Sequence, residues 1–322
     1  MKIKFAGFLP ILKKTYKGWN EDDPFRQSAI IAYYAIFSLP ALLVLIINIA
    51  GVFFGKDVVS GEISRQIESI MGAETAKQVS EIVSKASETK AGVISTVLAI
   101  VTILFGATGV FVQLQKTLNQ IWDVRQKTTK GFLKMLKNRL FSFGLILSIG
   151  FLLLMSLIIS SLLAAVSEWF KGFFPDIIAV ILFTLDFVVS LCVISVLFAL
   201  MFKVLPDVKT KWKDVATGSV LTAILFILGK YALSFYFGKA DPASAYGVAG
   251  SVVLILLWVS YSSMILFFGA EFTKQYAVFH KHEIVPTTDA EKIEAGQDAM
   301  EQEHKAAIEK EEKRRGVKAG NF

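Results

Sequence analysis

The chain has 322 residues, of which 54% are hydrophobic and only 19% charged, more apolar than a soluble domain, whose apolar share is about 45–50%. Its 27 phenylalanines against 7 prolines, and the absence of alternating ten-residue strands, favour long helices in lipid over a turn-rich β-barrel. The net charge of +7 gathers at the edges of apolar segments, which marks membrane orientation rather than nucleic-acid binding.

In chain order, residues 1 to 19 place Phe5, Phe8, Leu9, Leu12, Tyr16 and Trp19 at helical spacing with Lys13, Lys14 and Lys17 between them. Such a segment can lie along the headgroup layer, although Pro10 argues against one unbroken helix. No secretory signal peptide is expected, because the apolar run before Lys13 is short and no small-residue cleavage site follows. Asp23-Pro24 supplies a cap and a first-turn proline.

Six spans follow: Ala29 to Phe54, Ala91 to Val112, Leu140 to Val166, Ile177 to Phe202, Val215 to Phe237 and Ala243 to Ala270. Each is long enough to cross a hydrocarbon core of about 30 Å. The fold class is therefore all-α, a polytopic bundle of six transmembrane helices. Its organisation is an N-terminal cytoplasmic or interfacial segment over 1–28, a transmembrane domain over 29–278 and a charged cytoplasmic tail over 279–322.

Lysine and arginine set the orientation. With both termini inside, the cytoplasmic segments hold 26 of them and the external loops 7, as the positive-inside rule requires. The external loop 55–90 carries Ile63, Ile67, Ile70 and Met71, then Val79, Ile82, Val83 and Ala86. That spacing predicts two short amphipathic helices on the external face, broken at Gly72. Gly51 and Gly55 form a small-x-x-x-small pair that can bring helices close. The tail beyond 283, rich in Glu, Lys and Ala, reads as a solvated helix or a disordered segment.

Several short stretches, taken together and in order, resemble the YihY/BrkB family. They are Ala32-Tyr33-Tyr34-Ala35 with Ser38 and Pro40, Leu118-Asn119-Gln120-Ile121-Trp122, Pro206 followed by Trp212-Lys213-Asp214-Val215 and Gly218, Gly229-Lys230-Tyr231, Tyr246-Gly247, Leu257-Trp258 with Tyr261, and Gly269-Ala270-Glu271. The resemblance covers residues 15 to 278. It implies a six-span bacterial inner-membrane protein; some members have been linked to virulence, serum resistance and envelope lipid export, and relatives have borne a ribonuclease label. The family pattern has one more residue between the serine and proline matched by Ser38 and Pro40, and one residue turns a helix by about 100°. The facing of Pro40 is not carried over.

The parts of an enzyme are missing from the sequence. Metal-dependent RNA cleavage needs converging His, Asp or Glu ligands, and the histidines are His280, His282 and His304, in or beside the tail. There is no phosphate loop and no nucleophile elbow. One cysteine, Cys192, builds neither an intrachain disulfide nor a thiolate zinc site and reads as packing. No catalytic residue, metal site or cofactor is expected.

Polar residues inside spans are more informative, since each must pair, face a cavity or find a helix partner. Pro40 frees a carbonyl and kinks its helix, in packing or in a gate. Tyr33 and Tyr34 are interfacial anchors or cavity-lining residues. Asn119, Trp122 and Arg125 lie in a basic inner loop that attracts anionic lipid headgroups at about 1 kcal/mol per residue. Glu271, at the inner end of the sixth span, is a partner for a loop lysine or a proton-linked group. Asp186 and Lys230 sit about 13 and 10 Å below the outer ends of their spans at 1.5 Å per residue, close enough to pair. The expected function is movement of an amphipathic, lipid-like molecule across the inner membrane without an ATPase of its own, with membrane lipids as partners. The rival is a non-transporting envelope scaffold or accessory subunit.

Overall fold

A computed structural model describes residues 5–71, 76–77, 80, 109–127, 175–240 and 249–293. Helix α1, Phe5–Glu21, runs unbroken through Pro10, against the expectation of a break. Pro10 falls in the second turn, so it forfeits only the bond to the Ala6 carbonyl beside a helix start that is short of partners in any case. The apolar residues of α1 divide between two faces. Ile11, with Phe8 and Leu12, packs on Phe272 and Tyr276, while Leu9 and Tyr16 point outward.

Asp22 and Asp23 turn the chain into α2, Pro24–Phe54, which is continuous through Pro40. Asp23 makes no side-chain cap; it takes a left-handed conformation at φ 53° and pairs with Arg26 at 2.8 Å. Gly55 ends α2 at φ 87°, its N–H bonded to the Gly51 carbonyl. The two glycines make a helix stop, and Gly51 lets the first residue of the next helix, Lys56, approach closely. Helix α3, Lys56–Met71, follows, and its Val59, Ile63 and Ile67 lie on Leu43 and Ile47 of α2. Of the second amphipathic helix expected after Gly72, positions 76, 77 and 80 are helical and the rest lies outside the described residues.

Helix α4 covers 109–121 and leads to strand β1, Val124–Gln126. The third predicted span, and the second up to Gly109, lie outside the described residues. Then come α5, Pro175–Val204; β2, Val208–Lys209; α6, Trp212–Ala240; and α7, Gly250–Phe279. Among the described residues three stretches are long and apolar enough to cross a membrane, Phe187–Val204, Trp212–Phe237 and Val252–Phe279. The last continues nine residues past the predicted boundary at Ala270, because Glu271, Phe272, Tyr276 and Ala277 are all buried and keep the helix packed. Cys192, read from its apolar run as a packing residue, is exposed; it shares an outward stripe with Val188 and Val196, four residues to either side.

Helix α7 is the hub, touching α1, α2 and α6, while α5 packs on α6. The seam between α6 and α7 is reciprocal. Gly218 of α6 receives Thr273, and Gly269 of α7 receives Thr222, each so closely that a Cβ would overlap the threonine hydroxyl. Each hydroxyl donates at 2.7 Å to the carbonyl four residues earlier in its own helix, which satisfies it without a partner across the seam.

The tail departs most from expectation. Residues 280–293 double back and pair with two of the connections at this end of the bundle. Strand β3, Val285–Pro286, runs antiparallel to β2, with Lys209 opposite Val285, and β4, Ala290–Lys292, runs antiparallel to β1, with Arg125 opposite Glu291. This strap ties the end of α4, the α5–α6 turn and the end of α7 together. The main core lies directly beneath it: Leu118, Ile121, Trp122, Phe202, Leu205, Val215, Phe267 and Ala270.

Candidate functional site

Beneath the strap, Asp207 in the α5–α6 turn collects donors from three elements. Its carboxylate accepts from Asn119 at 2.7 Å, Gln126 at 2.8 Å and Gln115 at 3.4 Å. Its backbone N–H donates to the Asn119 side-chain oxygen at 2.8 Å, and its carbonyl accepts from the Thr287 N–H at 2.9 Å. Asn119 and Trp122 are thus interior residues, not part of a headgroup-facing surface; Trp122 is 1% exposed and its indole N–H has no hydrogen-bond partner. Arg125 faces outward and pairs with Glu291 of the strap at 2.8 Å. His282 meets the buried Asp214 at 2.8 Å, and His280 Nδ1 lies 2.9 Å from the Tyr276 carbonyl. Among the described residues no group of three or more His, Cys, Asp or Glu is placed to hold a metal ion.

A second polar cluster lies where the α1–α2 turn, the α4–β1 turn and α7 meet. Glu271 is 1% exposed; its Oε1 accepts from Gln275 at 2.7 Å, while Oε2 has no hydrogen-bond partner. Lys274 lies 3.9 Å from Oε2 but 2.7 Å from Asp123. The backbone of α1 closes over the carboxylate at Gly18, where a Cβ would collide with Oε1. Asp22 accepts from Gln120 at 3.1 Å, and a chain of amides continues from Gln120 to Gln27 and Gln113. Burial pushes the Asp22 carboxyl above its ordinary range, opposed by the Gln120 hydrogen bond and Lys274.

Beside this cluster an open, mostly apolar groove of about 400 Å³ runs between α1, the start of α2, α6 and α7, lined by Trp19, Phe25, Leu225, Tyr261, Met264, Ile265 and Phe268. Trp19 is fixed by its indole N–H to the Met264 carbonyl at 3.1 Å.

Of the residues that sequence singled out, Asn119, Trp122, Arg125 and Glu271 therefore gather at the strapped end. Tyr34 packs against Gly109, where a Cβ would meet its ring, and Tyr33 stands exposed, edge-on to Phe37 at 5.2 Å. Lys230 is half-buried on α6. The side chains of Pro40 and Asp186 lie outside the described residues, and so does the expected meeting of Asp186 with Lys230. Sequence reasoning missed Asp207, Asp22, Gln27 and the Gly–Thr seam. Gly218 and Gly269 did stand among the resemblance residues; what they touch was not readable.

The model of the family described as virulence factor BrkB matches residues 15–294. A UPF0761 membrane protein of Pseudoalteromonas atlantica is 25% identical over 79% of this chain and 81% of its own length. One from Haemophilus influenzae is 26% identical over 80% and 91%. One from Saccharophagus degradans is 26% identical over 81% of this chain but only 58% of its own length, so the chain spans little more than half of some relatives. No solved structure matches.

Proposed function

The chain belongs to the virulence factor BrkB family and is an integral membrane protein, and from that premise we propose that it moves an amphipathic, lipid-like molecule across a bacterial inner membrane without ATP hydrolysis of its own. The observation that carries the proposal is the groove of about 400 Å³. It falls within the size range of small-molecule sites, about 300–1,000 Å³. Its wall runs from Phe268 back to Tyr261 on α7, roughly 10 Å along a helix axis. An acyl chain fits that lining, and a headgroup would be left at the end where Trp19 and Phe25 stand.

In this reading the strapped end is cytoplasmic, both termini are inside, and α3 is external. Exposed Lys127, Lys209, Lys211 and Lys213 at the strapped end meet anionic headgroups, worth about 1 kcal/mol each near the surface. This reading gives the chain no enzymatic step: the polar clusters among the described residues pair carboxylates with amides and lysine.

Purified protein in liposomes should move a fluorescently tailed phospholipid between leaflets. Leu225→Trp, which fills the groove, should slow that movement about tenfold, the effect of a barrier raised by about 1.4 kcal/mol. Failure of the wild-type protein to move lipid under any ion gradient would defeat transport. The scaffold reading would then take its place, favoured by the strap that fastens three connections together at one end.

A further inference from the structure

The groove and the buried Glu271 share a wall. Gly18 of α1 covers the Glu271 carboxylate, and the next residue, Trp19, both lines the groove and bonds the Met264 carbonyl. An ionised carboxylate that is buried requires a cation or several donors. Glu271 has one donor, Gln275, and its second oxygen has none. The cation in reach, Lys274, is held closer by Asp123. Two charged neighbours sharpen the shortage, Asp22 from the α1–α2 turn and Asp123 from the α4–β1 turn, and among the charged groups Lys274 on its own helix alone opposes them. Three carboxyls share one ammonium. Lys274 is committed to Asp123 at 2.7 Å, and a proton on Glu271 would resolve the imbalance.

We propose that Glu271, with Asp22, Asp123 and Lys274 around it, is a proton-binding site whose occupancy governs the seating of α1, and through Trp19 the width of the groove. With the proton on Oε2, the carboxyl is neutral and α1 lies closed over it at Gly18. When the proton leaves to water, the carboxylate needs solvent. The end of α1 and the like-charged Asp22 beside it are pushed away, Trp19 parts from Met264, and the groove opens toward the α1 side. The proton site stands on its own geometry; its use as the coupling ion rests on the transport reading above.

The test uses the full chain in nanodiscs, with no transport readout. Spin labels at Lys14→Cys and Val278→Cys, both exposed positions, in a Cys192→Ser background report the distance from α1 to the end of α7. Between about pH 5 and about pH 9, which brackets perturbed carboxyls, the wild-type distance should lengthen in one transition. Glu271→Gln should hold it short throughout and should remove a protonated-carboxyl infrared band present on the acid side of the transition in the wild type. Asp22→Asn, which takes away a like charge, should move the transition to lower pH and covers the case in which Glu271→Gln does not fold. A wild-type distance unchanged across the range, no infrared band lost in Glu271→Gln, or an Asp22→Asn transition at or above that of the wild type would each overturn the proposal. Absence of lipid movement in liposomes would leave it standing and would count against transport alone.

Discussion

The two halves of the α6–α7 pair are both apolar in sequence but differ in how much of their surface is packed. Toward the strap, Val215, Ser219, Thr222, Ala223, Phe267, Ala270 and Thr273 are buried, most of them almost completely. Toward the other end, Leu228, Tyr231, Phe235 and Tyr236 of α6 are half or more exposed, with Leu257 and Val252 of α7 close behind. The first half packs mainly on protein; the second, apart from Ile227, Phe237 and Leu254, leaves more apolar surface uncovered, as suits a lipid-facing surface. A bilayer is as apolar as leucine, so association of helices within it depends on close backbone approach and on polar groups rather than on a hydrophobic drive. Gly218, Gly269, their threonines and the buried Asp214 and Glu271 lie in the strapped half, while Gly229, against Tyr261 and Ile265, makes a further close approach toward the other end.

The largest effect should follow from closing the seam in the strapped half. Gly218→Val or Gly269→Val forces a side chain into Thr273 or Thr222. Overpacking of this kind costs about 1–3 kcal/mol or more, and a thermal-unfolding assay in detergent should show the greatest loss of Tm in the series. Gly61 on α3, with nothing near its absent Cβ, makes the contrast: Gly61→Ala should be neutral or gain up to about 1 kcal/mol from helix propensity.

Next in size is the Asp207 hub. Asn119→Ala and Asp207→Ala should each cost about 1–3 kcal/mol, the penalty of leaving a buried partner unsatisfied, and the double variant should cost clearly less than their sum. Additive losses would show that the two residues do not act as a pair.

A smaller effect is expected at Asp22. Its folded carboxyl binds a proton more readily than the unfolded one, so its contribution to stability is present below the unfolded value and is lost as pH rises through the folded one. Asp22→Asn should flatten the decline of stability across that window, read as Tm against pH; an unchanged slope would separate Asp22 from the cluster. The smallest effects belong to contacts in water or lipid. Arg125→Ala, which removes a half-exposed pair with Glu291, should change stability by about 0.5 kcal/mol or less, as should Leu228→Ala at the far end. A large effect of Leu228→Ala would break the comparison between the halves.

Hydropathy made the spans of α5, α6 and α7 legible, since a run of twenty apolar residues has few other uses. It said nothing about which half of each span packs, because the cue is a pair of glycines whose partners are threonines about fifty residues away. The expected headgroup surface at Asn119 and Trp122 failed for a related reason: the neighbouring lysines were visible, while Asp207, which draws Asn119 inward, is 88 residues distant. The strap was illegible because its strands have only two or three residues, too short to show period-two alternation, and their partners lie in two separate loops. Glu271 was marked from its position alone, but its burial and its cover by Gly18 required the fold.

The most direct test of the transport account is a cryo-electron microscopy structure of the protein in nanodiscs of bacterial lipid. The account predicts an elongated density in the groove against Trp19, Leu225 and Phe268, with its polar end toward Phe25. A groove closed by protein side chains, or one that stays empty while annular lipid is resolved elsewhere, would contradict it.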